Sequence, residues 1–319
     1  MKKVNYMRIS VTDRCNLNCF YCRISENCHY VEPSEILSYE EILQVVKAAN
    51  DLGIDRIRLT GGEPLMRKDL PQLVRMLSSE CELRDLTITT NGVFLSEFAN
   101  ELKNCGLHRV NVSLDTLSRR SYREITGKDR IDQVLEGIET AVKVGLTPVK
   151  INTVLMRGFN DDEICEISRL ARKDVIIPRF IELMPMGGIK WEDYFLPIDK
   201  VRQQLEDKGS FHPCEVGKGS GPAKYYRAGD NIIGLISPIS EKFCAICNRI
   251  RMTSQGELRP CLAIDYQIPL KQTIRGKKNK KEIEKQLKKL IGKAIDEKPH
   301  GYHWDVGTKT LSQMSIIGG

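Results

Sequence analysis

Apolar residues in the first 185 positions alternate between two spacings. Short β-branched runs read as strands: YMRISVT, RIRLTGG, DLTITTNG, RVNVSLD, PVKINTVL and VIIPRFIELMP. Between them lie stretches with apolar residues every three or four positions, which predict helices over 37–53, 69–80, 95–106, 131–145 and 161–174. The first of these carries Ser38 as N-cap and Gly53 as its stop. Six strands separated by five helices imply an α/β fold with a parallel sheet and right-handed crossovers. Six units are too few to close an eight-unit barrel, so an open or partial barrel and a doubly wound sheet both fit. In either, chemistry collects at the C-terminal strand ends, which here read TGGEP, TTNG, SLD, KINTV and ELMP.

The pattern changes after Gly187. LPIDKVRQQLEDKG predicts one more helix, and GKGSGPAKYYRAGDNIIGLIS a glycine-rich start followed by strands. NRIRMTSQGELRPCL reads as a hairpin turning at Gln255-Gly256. The expected division is 1–187 and a smaller C-terminal domain, 188–319, packed against it. Ile283, Leu287, Leu290 and Ile291 predict an amphipathic helix whose other face is basic, within the lysine-rich segment 275–293. A solvated face is the plain reading of that segment, and an anionic partner the other.

Composition narrows the class. The chain has 319 residues, 41% hydrophobic and 29% charged, with a formal net charge of +7, as a soluble globular protein would. No apolar run reaches membrane-spanning length and the N-terminus lacks an apolar signal core, so a cytoplasmic protein is expected. Eleven cysteines is an odd number and argues against a disulfide framework. Cys28, Cys81, Cys105, Cys165 and Cys214 are scattered and read as ordinary part-buried residues.

The other six form two sets. Cys15, Cys19 and Cys22 follow the first strand, and Cys244, Cys247 and Cys261 fall near the hairpin. Three thiolates can hold three irons of a [4Fe–4S] cube and leave the fourth iron open for a ligand. A zinc site short of one ligand is the alternative, with His300 or His303 as the fourth ligand of the second set. Arg249 and Arg251 alternate along one strand and share a face. Paired guanidiniums suit a triphosphate, since each binds phosphate oxygens bidentately, and Arg8 on the first strand can join them. Two solvated arginines remain the plain alternative.

CNLNCFYC, with Tyr21 before the last cysteine, closely resembles the signature of the radical S-adenosylmethionine (SAM) superfamily, and GGEP at the second strand end supports it. More narrowly, RISVTDRCNLNCFYC, RLTGGEPLMRKDL, TTNG, RVNVSLDTL, INTVLMRGFND, FIELMPMG, CNRIRMTSQGELRPCL and the terminal IIGG resemble the GTP 3′,8-cyclase family of molybdenum cofactor biosynthesis. The resemblance spans essentially the whole chain. It implies a partial (βα)6 TIM-like barrel, a C-terminal domain with a second [4Fe–4S] cluster, and SAM at the first. It implies SAM contacts at Tyr21, Gly62, Ser113 and Met184, and GTP contacts at Arg8, Arg58, Thr89, Lys150, Arg249 and Arg251. A 5′-deoxyadenosyl radical would remove the hydrogen at ribose C3′, and C3′ would then bond to guanine C8. Gly318 and Gly319 match a double-glycine tail that reaches the active site, with Arg8 as partner for its carboxylate. The implied partners are a ferredoxin- or flavodoxin-type electron donor and the downstream cyclic pyranopterin monophosphate synthase. A homodimer is allowed; membrane and nucleic acid are not expected. Two other classes compete: a peptide-modifying radical SAM enzyme with an auxiliary cluster, and a zinc- or cluster-stabilised nucleic-acid-binding protein.

Overall fold

A computed structural model describes residues 4–22, 30–186, 189–216, 221–277 and 279–301. Cys28, His303, Gly318 and Gly319 lie outside the described residues. The order begins β1 (Tyr6–Ser10), α1 (Tyr39–Asp51), β2 (Arg56–Thr60), α2 (Leu70–Glu80), β3 (Asp85–Thr90) and α3 (Leu95–Asn104). It continues with β4 (Arg109–Ser113), α4 (Arg119–Thr126), α5 (Ile131–Lys143), β5 (Val149–Leu155), α6 (Ile164–Ser168) and β6 (Ile176–Glu182). The C-terminal part adds α7 (Trp191–Tyr194), α8 (Ile198–Glu206), β7 (His212–Cys214), β8 (Lys224–Ala228) and β9 (Asn231–Ile236). Last come β10 (Arg249–Met252), β11 (Glu257–Arg259), β12 (Ile268–Pro269), α9 (Lys271–Ile274) and α10 (Lys280–Asp296).

All six expected strands are present, and β1 to β6 pair in chain order, each parallel to the next. Their apolar residues, such as Met7, Ile9, Ile57, Leu59 and Val112, are buried under α1 to α5. At about 4.8 Å per strand a flat sheet would hold β1 and β6 about 24 Å apart. Yet Arg8 of β1 and Arg179 of β6 line one cavity, so the strands wrap around it as a partial barrel.

The C-terminal part does not form a sheet of its own. β10 joins β1 in parallel and carries β11 and β12 beyond it, while β9 joins β6 and carries β8 and β7. The result is one twelve-stranded sheet with the first six strands in the middle. The physical reason is that an open barrel leaves unpaired N–H and C=O groups along both edges, and these later strands satisfy them.

Local signals account for much of the rest. Ser38 caps α1 in a reciprocal box with Glu41, and Asn279 caps α10 with Glu282 in the same way. The β10–β11 hairpin turns where expected, with Gly256 at φ +80°. Helix α10 buries Leu287, Ile291 and Ala294 and packs on α1, leaving Lys281, Lys285 and Lys289 exposed.

Two readings differ from the structure. Helix α4 was not expected; Ser118 caps it and Gly127 ends it at φ 72°. The helix expected over 161–174 shrinks to Ile164–Ser168. Its would-be first turn is used otherwise: Asn160 accepts from Met156 N and donates to Asp115 O and Val154 O. Glu163 accepts from Thr116 Oγ1, Leu117 N and Ser118 N. At the other end Asp174, at φ 54°, turns the chain into β6.

Candidate active site

One cavity of about 350 Å³ opens at the C-terminal ends of the barrel strands. Cys15, Cys19 and Cys22 line it, and so do Cys244, Cys247 and Cys261. The two sets, more than 220 positions apart in sequence, meet here because β10 lies beside β1.

The first cysteine loop is fixed by backbone. Asn18 N and Phe20 N donate to Thr126 O (2.9 Å) and Ile125 O (3.1 Å), the last carbonyls of α4. On its other side Gly62 N donates to Thr12 O (2.8 Å) and Glu63 N to Arg14 O (2.7 Å). A Cβ at Gly61 would stand 2.5 Å from Thr12 O, and one at Gly62 2.2 Å from Arg14 O. The two glycines are therefore required so that the loop after β2 can lie against the cysteine loop. The resemblance gave Gly62 a role toward SAM alone; the cysteine loop also demands a glycine there.

Buried polar side chains complete this end. Glu63 accepts from Thr90 Oγ1 (2.7 Å), Asn91 N (2.7 Å) and Leu65 N (3.0 Å). Burial outweighs these three bonds and pushes its carboxyl up to about 7. Asn91 Nδ2 in turn lies 3.8 Å from Cys15 Sγ. Tyr21 Oη donates to Asp115 Oδ2 (2.7 Å), and Val154 N donates to Asp115 Oδ1 (2.8 Å). Burial raises the Asp115 carboxyl to about 6 against those two bonds. At the end of β6, Glu182 accepts from Ile198 N (2.9 Å), Ile239 N (3.0 Å) and Ser240 N (3.0 Å). It thereby joins the barrel rim to the start of α8 and to the loop that leads to Cys244.

The other end is cationic. Arg58, Arg8 and Arg251 are register neighbours on β2, β1 and β10, so their side chains share a face. Burial, then the charges of Arg251 and Arg58, pull Arg8 well below the usual guanidinium range. Burial and then Arg249 pull Arg251 down to about 10. A guanidinium keeps its proton in a protein, so these shifts register the cost of crowding buried like charges, a cost that a bound anion relieves. Arg249 lies over the Phe243 ring, 5.2 Å from its centroid. Burial pushes the Cys247 thiol up, but Arg249 and Lys298 prevail and bring it down to about 6.

Two family models match the chain: the Radical SAM superfamily over residues 9–171 and Molybdenum Cofactor Synthesis C over residues 176–304. A GTP 3′,8-cyclase of Thermodesulfovibrio yellowstonii is 44% identical over 323 aligned residues, covering 100% of this chain and 98% of the relative. A relative of the same name from Pelotomaculum thermopropionicum is 45% identical with the same coverage. This chain belongs to the GTP 3′,8-cyclase family of radical SAM enzymes.

Among solved structures, Streptococcus suis SuiB bound to S-adenosylmethionine matches with a TM-score of 0.63 at 16% identity, covering 84% of this chain and 63% of SuiB. SuiB bound to its precursor peptide SuiA gives 0.62 at 16% identity, covering 82% and 60%. The chain thus spans less than two thirds of those structures, and at such identity the likeness shows the fold alone.

The positions that the GTP 3′,8-cyclase resemblance singles out are mostly neighbours in space. Tyr21, Gly62, Ser113 and Met184 line the cavity, as do Arg8, Arg58, Thr89, Arg249 and Arg251. Lys150 does not; it is buried, with Nζ 3.1 Å from Tyr225 Oη. Thr89 Oγ1 is buried with no hydrogen-bond partner among the described residues. Membership of a radical SAM family implies SAM and a [4Fe–4S] cluster, and the first loop fits one: three thiols face a shared cavity and Asn91 reaches one of them. Sequence reasoning missed Glu63, Asp115, Glu182, Arg179 and Lys298. The first three stood in the polar strand ends already noted; Lys298 carried no local signal. Among the described residues no helix is long and apolar enough to cross a membrane.

Proposed function

We propose that this chain is a radical SAM lyase that converts GTP to (8S)-3′,8-cyclo-7,8-dihydroguanosine 5′-triphosphate for molybdenum cofactor biosynthesis. The observation that carries the reading is a single cavity lined by both cysteine sets and by the arginines between them. Cys15, Cys19 and Cys22 would hold one [4Fe–4S] cluster, and Cys244, Cys247 and Cys261 a second. The lowered Cys247 thiol supports the second, since a thiolate is the ligand form. With SAM bound, the cluster that Cys15, Cys19 and Cys22 would hold would supply the radical chemistry for hydrogen removal at ribose C3′ and closure of the C3′–C8 bond, with the electrons drawn from an external reductant and a proton taken up by the product.

The chain's own residues bind and orient. Tyr21, Gly62, Ser113 and Met184 take SAM. Arg8, Arg249 and Arg251 take the triphosphate, whose charge offsets their mutual repulsion, and Arg58 and Thr89 extend the contact. Thr89 Oγ1, buried and unbonded among the described residues, offers a hydrogen bond to the nucleotide. Lys150 stands outside the cavity lining, bonded to Tyr225, and a GTP contact from it requires its side chain to turn toward the cavity. The double-glycine tail, Gly318 and Gly319, which lies outside the described residues, belongs to the same reading, with Arg8 as the partner the resemblance implies for it.

The division into 1–187 and 188–319 belongs to the same reading, with SAM on the first part and the guanine on the second. The reading also takes in a cytoplasmic location, a ferredoxin- or flavodoxin-type donor, a downstream cyclic pyranopterin monophosphate synthase and a homodimer. The decisive experiment is anaerobic reconstitution with iron and sulfide, followed by SAM, a reductant and GTP deuterated at C3′. The expected result is a product isomeric with GTP and deuterium in 5′-deoxyadenosine. Deuterium retained wholly in the nucleotide would overturn the assignment.

A further inference from the structure

Lys298 comes just after α10, yet it reaches back to the hairpin that carries the second cysteine set. Its Nζ donates to Arg249 O (2.7 Å) and Pro260 O (3.1 Å), on segments 49 and 38 residues away in sequence. Arg249 stands two residues after Cys247, and Pro260 directly precedes Cys261. The β10–β11 ladder ends at the pair Arg251–Arg259. Extending its register would set Arg249 opposite Cys261, so the strands part where the cysteines begin. The ammonium joins the two chains there in place of further ladder bonds. An ammonium has three donors, and these carbonyls use two; Lys298 also lines the cavity, on the side where the third can point.

We propose that Lys298 is a positioning residue for the second cluster. It clamps the open end of the β10–β11 hairpin, sets the spacing of Cys247 and Cys261, and fixes a positive charge beside their thiolates. The inference rests on the two-cluster reading above. At the first set the equivalent restraint comes from backbone donors, Gly62 N to Thr12 O and Glu63 N to Arg14 O. At the second set a side chain does it, so a substitution can remove it without altering the ladder. Groups that orient ligands in this way typically change metal retention by about 10–100-fold when lost.

The test uses full-length protein, reconstituted anaerobically, as wild type, Lys298→Met and Lys298→Arg. Iron and sulfide per chain, iron release to a chelator, and the electron paramagnetic resonance signals of the reduced clusters are measured. Lys298→Met should keep the first cluster and its response to SAM. It should lose second-cluster iron to the chelator on the order of ten-fold faster, with an altered second-cluster signal. Lys298→Arg, which can still donate to both carbonyls, should stay near wild type. Two clusters in Lys298→Met with wild-type retention and signals would overturn the clamp alone. Loss of both clusters in Lys298→Met would also overturn it, by making Lys298 a general stability residue. Iron for only one cluster in wild type would overturn the two-cluster reading and the clamp with it.

Discussion

The two cysteine sets share a cavity but are built from opposite materials. Around Cys15, Cys19 and Cys22 the framework is backbone hydrogen bonds and buried carboxyls, Glu63 and Asp115, with Tyr21 as a neutral donor. Around Cys244, Cys247 and Cys261 it is cations: Arg249, Arg251 and Lys298. The contrast matches the ligands proposed for each end. SAM carries a sulfonium and an ammonium beside one carboxylate, and its net positive charge suits an end where buried carboxyls stand. A triphosphate suits guanidiniums whose buried repulsion it relieves. One cavity thus has an electrostatic polarity that would orient two differently charged ligands toward each other.

The largest effects should come from breaking one end while leaving the other. Cys19→Ala should abolish SAM cleavage altogether, with or without GTP. Cys247→Ala should keep some uncoupled SAM cleavage and lose GTP cyclisation. Formation of 5′-deoxyadenosine and of cyclised product, followed in parallel by chromatography, reads both. Identical loss of SAM cleavage in the two variants would erase the functional distinction between the ends. A smaller effect tests the cationic end as an anion site. A hydrogen bond to a charged group contributes about 1.5–3 kcal/mol, so Arg249→Ala should weaken GTP binding by roughly one to two orders of magnitude. SAM affinity should not change. Equal GTP affinity in wild type and in an Arg249→Ala, Arg251→Ala double variant, by calorimetry, would remove the phosphate assignment.

The same contrast explains what could be read in advance. The strands, the Ser38 cap, the Gly256 turn and both cysteine sets were legible because each rests on spacing within a few residues. Arg249 and Arg251 were legible as a pair, since alternation along a strand fixes a shared face; the register that sets Arg8 beside Arg251 comes from the long-range β1–β10 pairing. What was not legible depends on partners far along the chain. Helix α4 matters because its last carbonyls receive Asn18 N and Phe20 N. Glu182 matters because Ile198, Ile239 and Ser240 come to it. The site of the C-terminal strands, split between both edges of the barrel, follows from unpaired edges that no local pattern displays. Asn160 and Glu163 likewise shortened α6 by bonding to segments that periodicity does not see.

The acid end can be sharpened through pH. Glu63 is fully buried, and its folded-state carboxyl lies at about 7, against about 4.3 for an unperturbed glutamate. Above the unfolded value the unfolded chain releases this proton while the folded chain keeps it. Folding is therefore penalised progressively as pH rises from about 4.3 to about 7, and the penalty is constant above that. Between pH 5.5 and 7.5 this one group should cost roughly 2 kcal/mol of stability, a few degrees in melting temperature. In Glu63→Gln the side chain cannot titrate, so the slope over this window should flatten. Its absolute stability should still fall, because an amide nitrogen would replace one of the oxygens that now accept from Leu65 N, Thr90 Oγ1 and Asn91 N. The comparison is made on apo-protein under anaerobic conditions by thermal scans at matched ionic strength. Equal pH slopes for wild type and Glu63→Gln would mean that Glu63 stays ionised in the fold, with its three donors outweighing its burial.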